Sequence, residues 1–133
     1  MRIKTDFITN SSSSSFLVVF KKFPKSAEEL QEQVFGERTE FENPYGEYNS
    51  EVPEYWYAGY VSKYIFERTS PASQEEIAYF WKYFDEGNKE DPSAFKGKHC
   101  AIYNFSDNDG YLECALEHGN VFRRLEHYQD SQH

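Results

Sequence analysis

The stretch with the most chemical potential runs from Glu37 to Tyr57. Glu37, Glu40, Glu42, Glu47, Glu51 and Glu54 interleave there with Phe41, Tyr45, Tyr48, Tyr55, Trp56 and Tyr57. Carboxylates steer a cationic surface inward, and rings then supply contact area and cation–π attraction. The partner-binding residues expected on this basis are Glu42, Tyr45, Glu47, Tyr48, Tyr55 and Trp56, and the expected partner is a basic protein surface. The competing reading is a solvated acidic loop whose rings only cover the core.

A second stretch is Asn10 followed by Ser11, Ser12, Ser13, Ser14 and Ser15. Successive N–H groups and hydroxyls can form a nest for phosphate or another anion. The residues before Ser26 carry Arg2, Lys4, Lys21, Lys22 and Lys25 against Asp6, a net of +4, which suits an anion. The tract lacks the glycines and the Lys-Ser/Thr ending of a Walker loop. It also reads as a modification or processing site, or as a connector ordered by Ser and Asn side-chain bonds.

The third group lies in the C-terminal third: His99, Asp107, Asp109, Glu113, Glu117, His118 and His127. A metal site needs two or three such groups to converge, and their spacing matches no zinc pattern. Asp107-Asn108-Asp109-Gly110 evokes a calcium loop, but Phe105 stands where its first ligand belongs. No metal and no cofactor is therefore expected. Ser13 with His99 and an acid, or Cys114 with His118, supplies hydrolase residue types without a nucleophile-elbow context. The balance leans away from an enzyme.

Bulk properties narrow the classes. The 133 residues fit one domain, expected to span 1–133 with 129–133 as a frayed tail. An aromatic share of 19% argues against disorder. A net charge of −9 repels nucleic acid and anionic lipid, so neither is an expected partner. The charge is uneven: Glu28 to Glu54 holds nine glutamates against Arg38. The segment after Arg2 and Lys4 is polar rather than a signal-peptide core, and no run reaches about 18 apolar residues. A cytoplasmic protein with Cys100 and Cys114 as reduced thiols is expected.

These groups must be held by elements that the sequence also suggests. Arg2 to Ile8 reads as a strand, and Phe16 to Phe20 as a strand buried on both faces. Ser26 with Glu29, and Ser73 with Glu76, are capping boxes that open helices, with Gly36 and Gly87 as the respective stops. Tyr57, Tyr60, Val61 and Tyr64 fit a helix over 54–68, after a loop from 37 to 53. His99 to Phe105 and Tyr111 to Glu117 read as a hairpin around Asn108-Asp109, with Val121-Phe122 as a further short strand. That register keeps Cys100 and Cys114 on opposite faces. The resulting fold class is α+β: a small, mainly antiparallel sheet of N-terminal strands and a C-terminal hairpin, with about three helices packed on it.

Lys4-Thr5-Asp6-Phe7-Ile8-Thr9-Asn10, the five serines and Phe16 resemble the opening of a set of bacterial and phage-associated proteins. That set begins Lys/Arg-x-Asp-Phe-Val/Ile-Thr-Asn, five serines, Phe. An acidic turn and a C-terminal histidine also recur, as Ser106 to Gly110 and His133 do here. The resemblance implies an intracellular bacterial or phage protein and transfers no catalytic residue. The leading expectation is a non-enzymatic interaction module for a basic surface. The alternatives are a small enzyme or anion-ligand binder built on Ser11 to Ser15 and the C-terminal histidines, and a modified or processed N-terminal tag.

Overall fold

The computed structural model describes residues 13–46, 52–84 and 86–132. The expected strand Arg2 to Ile8 lies outside them, as do Asn10, Ser11 and Ser12. Among the described residues, five strands and four α-helices follow in chain order. They are β1 Ser13–Phe20, α1 Ala27–Val34, β2 Glu40–Glu42, β3 Tyr55–Tyr57, α2 Ala58–Phe66, α3 Gln74–Lys82, β4 His99–Ser106, α4 Tyr111–His118 and β5 Glu126–Gln132. The fold is α+β. A three-stranded antiparallel sheet has the order β4-β1-β5, and β2 with β3 forms a separate two-stranded antiparallel ladder.

β1 is the central strand, and both its faces are covered. Phe16, Val18 and Phe20 point into the larger core with Leu30 and Val34 of α1, Val61 and Ile65 of α2, and Ala115 and Leu116 of α4. Leu17 points the other way, onto Ile77, Phe80 and Trp81 of α3 and onto Phe95 and Cys100. This is why Phe16 to Phe20 shows an unbroken apolar run rather than alternation.

Local chemistry fixes the first and third helices. The Ser26 hydroxyl accepts the Glu29 N–H at 3.1 Å. At Ser73 the box is reciprocal: its hydroxyl accepts the Glu76 N–H at 3.1 Å, and its own N–H donates to the Glu76 carboxylate at 2.9 Å. Gly36, at φ 61°, closes α1 as expected, in the left-handed conformation that glycine adopts without a Cβ clash. α3 stops at Lys82, short of Gly87, which lies in a 3₁₀ turn at Glu86–Asn88.

Several expectations change, including the loop over 37–53, which contains strand β2. Tyr111 to Glu117 is helix α4, not the second strand of a hairpin. Leu112, Cys114 and Leu116 do alternate, but Glu113, Ala115 and Glu117 are buried too, which one face of a strand cannot achieve. The Leu, Glu and Ala content favours helix. Tyr55 to Tyr57 is a strand, and only Ala58 to Phe66 of the expected 54–68 helix is helical. Residues 129–132 are not frayed. They belong to β5, where Gln129 pairs with Phe16 and Ser131 with Ser14. Val121 and Phe122 are buried in a turn rather than a strand.

Candidate functional site

The β2–β3 ladder carries much of the acidic and aromatic chemistry. Its register sets Glu40 opposite Tyr57, Phe41 opposite Trp56 and Glu42 opposite Tyr55. Side chains alternate along a strand, so the middle pair turns inward and the outer pairs share the other face. Phe41 is buried, stacks on Trp56 at 6.4 Å and meets the edge of Phe35 at 6.1 Å. Glu40, Glu42, Tyr55 and Tyr57 are exposed, Tyr57 by 65%. The Tyr55 and Tyr57 rings meet edge to face at 5.6 Å. Their hydrogen bond raises the Tyr55 phenol above its ordinary range, and the nearby Tyr57 and Glu40 add to it.

The predicted residues separate accordingly. Glu42 and Tyr55 stand on the solvent face, whereas Trp56 is half-buried against Phe41. Tyr45 is held in a turn by its N–H to Asn43 Oδ1 at 3.0 Å, and its ring meets His118 at 5.8 Å. Glu47 and Tyr48 lie outside the described residues. Glu40 and Tyr57 complete the face. The signal that could have found them is the alternation of Glu-Phe-Glu against Tyr-Trp-Tyr.

The described serines divide between the two sides of the sheet. Ser13 to Ser15 open β1, and each pairs with β4 on one side and β5 on the other. Their backbone therefore follows the ladder rather than a nest. Ser14 is 2% exposed and donates its hydroxyl to Glu117 Oε2 at 3.0 Å. Its one proton is used there, so Ser131 donates to it at 2.9 Å and Gln129 Nε2 at 3.1 Å. Gln129 Nε2 also reaches the Glu117 carbonyl at 3.1 Å. On the opposite side Ser15 donates to Asn104 Oδ1 at 2.5 Å.

Among the C-terminal acids and histidines, Asp107, Glu117 and His118 come together, with one donor atom of each inside a 4.8 Å span. Glu117 is 1% exposed, and its Oε1 lies 3.3 Å from His118 Nε2. Glu113 is engaged elsewhere, accepting from the Tyr64 hydroxyl and from the Ser106 N–H. His127 Nδ1 contacts the Leu125 carbonyl at 3.0 Å. His99 pairs with Phe20, at the opposite end of β1 from Ser13. Ser13 and His99 therefore cannot share a reaction centre. Both cysteines are free thiols: Cys100 faces the α3 side, and Cys114 is on α4. Burial pushes the Cys114 thiol up, and the Asp107 and Glu117 charges push it further, which disfavours a thiolate nucleophile beside His118.

A groove of about 590 Å³ lies where α3 passes the Ser15 end of the sheet. Glu75, Glu76 and Asp130 contribute carboxylates to it, Tyr79 and Tyr83 contribute exposed rings, and Phe80 and Ile102 contribute apolar surface.

No protein-family model, no curated protein and no solved structure matches this chain at a meaningful level. No described helix is long and apolar enough to cross a membrane.

Proposed function

We propose that this protein is a non-enzymatic docking module that binds an Arg/Lys-rich protein surface through the outer face of the β2–β3 ladder. The observation that carries this reading is the pairing of Glu40 with Tyr57 and Glu42 with Tyr55 on one exposed face. The partner's cations gain carboxylate contacts and ring faces together, and the inward Phe41–Trp56 pair holds the platform rigid. The groove beside α3 supports a second version, in which one cationic side chain inserts between Tyr79, Tyr83 and Asp130.

Calorimetric titration with an Arg-rich synthetic peptide, at low and moderate salt, tests both. The paired changes Glu40→Gln/Glu42→Gln and Tyr55→Ser/Tyr57→Ser should each weaken binding by roughly tenfold, and salt should weaken the parent interaction. Loss through Tyr79→Ser/Tyr83→Ser instead would move the contact to the groove. A peptide that binds no version, or binds regardless of salt, removes the docking reading.

A further inference from the structure

We infer that Asp107, Glu117 and His118 form a binding site for a divalent transition-metal ion, with Zn²⁺ the best match. The donors come from two neighbouring elements. Asp107 opens the 3₁₀ turn Asp107–Asp109, and Glu117 and His118 end α4. Their ligating atoms lie within 4.8 Å of one another.

The separation of Glu117 and His118 is one that two ligands of a single ion can have. Glu117 Oε1 and His118 Nε2 are 3.3 Å apart. With metal–donor bonds of about 2.1 Å, such a separation subtends about 104° at a shared ion, close to the tetrahedral angle. The tetrahedral edge at that bond length is about 3.4 Å, so Asp107, which is half-buried, needs to close by no more than about 1.4 Å to complete three corners. The Cys114 sulfur is not among the converging donors.

The buried ligand already has an outer support. The Ser14 hydroxyl holds Glu117 Oε2 at 3.0 Å, which leaves Oε1 directed at the imidazole, while Gln129 Nε2 donates to the backbone carbonyl of Glu117. A supporting bond such as that from Ser14 fixes the orientation of a ligating carboxylate. Two carboxylates with one imidazole suit Zn²⁺ or Mn²⁺ rather than Ca²⁺ or Mg²⁺, which take all-oxygen shells. None of the site's ligands is on β2 or β3, although the Tyr45 ring meets His118 at 5.8 Å.

Calorimetric titration of the untagged, chelator-stripped chain with ZnCl₂ tests the inference, with Co²⁺ absorption reporting the coordination number. One ion per chain is expected, in a four-coordinate Co²⁺ spectrum. His118→Ala and Asp107→Asn should each weaken Zn²⁺ by more than the roughly 10–100-fold that loss of a supporting hydrogen bond brings, and Ser14→Ala should fall within that range. Asp107 and His118 are not fully buried, so those two variants should still fold, and circular dichroism checks that they do. Glu40→Gln/Glu42→Gln should leave the isotherm unchanged. No saturable Zn²⁺ binding overturns the site and leaves an ordinary Glu117–His118 ion pair. Binding that survives both His118→Ala and Asp107→Asn, or that Ca²⁺ displaces at equal concentration, overturns it as well.

Discussion

Ser14 carries one proton, and its neighbours dictate where that proton goes. A nearly fully buried hydroxyl between a carboxylate and two donors is worth more than an exposed one, because removing it takes a hydrogen bond from the buried Glu117 carboxylate. Ser14→Ala should lower stability by about 1–3 kcal/mol in urea denaturation, whereas Ser15→Ala on the open side should change it by less than about 1 kcal/mol. The phenols set the alkaline limit. Burial, with the hydrogen bond to Glu113 second, pushes Tyr64 up to about 12, and burial followed by Glu126 does the same for Tyr128. An unfolded tyrosine ionises near pH 10, so the folded state holds these protons more tightly. Stability is therefore intact below about pH 10 and declines as pH rises toward about 12. Tyr64→Phe/Tyr128→Phe should flatten that decline in urea midpoints measured at pH 9, 10 and 11. An unchanged slope would show that the two phenols are not its source.

The helices whose start is written in side chains are legible, as are the apolar strand Phe16 to Phe20 and the strand His99 to Phe105. Ser26 and Ser73 cap as their spacing implies, and Ser73→Ala should cost about 0.5–2 kcal/mol by thermal unfolding. Elements held by their surroundings were not legible. β5 reads Glu-His-Tyr-Gln-Asp-Ser-Gln, a polar string without an apolar period. It is a strand because the backbone of β1 needs a partner there, and because Gln129 and Ser131 complete the Ser14 cluster. The converging Asp107, Glu117 and His118 stayed hidden for a related reason. A hairpin would have sent Glu117 and His118 to opposite faces, and only the turn-then-helix geometry gathers them with Asp107. The exposed face of the ladder is hard to read from sequence because the expected helix over 54–68 hides the strand alternation that sets Tyr57 opposite Glu40. Gly119 ends α4 under a tight constraint of contact. A Cβ there would sit 2.6 Å from the Ala115 carbonyl oxygen and 2.8 Å from Phe41 Cζ. Gly119→Ala should destabilise by about 1–3 kcal/mol and loosen the Phe41–Trp56 platform, seen as a change in Trp56 emission.

Across the molecule, one strand joins two cores. Trp81 reports the α3 side and Trp56 the opposite side. With Trp56→Phe or Trp81→Phe, the remaining indole should give the same urea midpoint as circular dichroism does on that variant, since both cores rest on β1. Separate midpoints would mean that the α3 layer comes away by itself. The placement of β1 also bears on how the protein is made. Ser14 meets Ser131 across 117 positions, and Glu117 across 103. A ribosome releases the chain from its N-terminal side, so β1 emerges early with both edges open. It must wait for β4, and then for a polar β5 that offers little apolar drive of its own. Until Gln132 has cleared the exit tunnel, Phe16 to Phe20 is an apolar segment without its final neighbours, and nascent-chain chaperones are the natural agents to shield it.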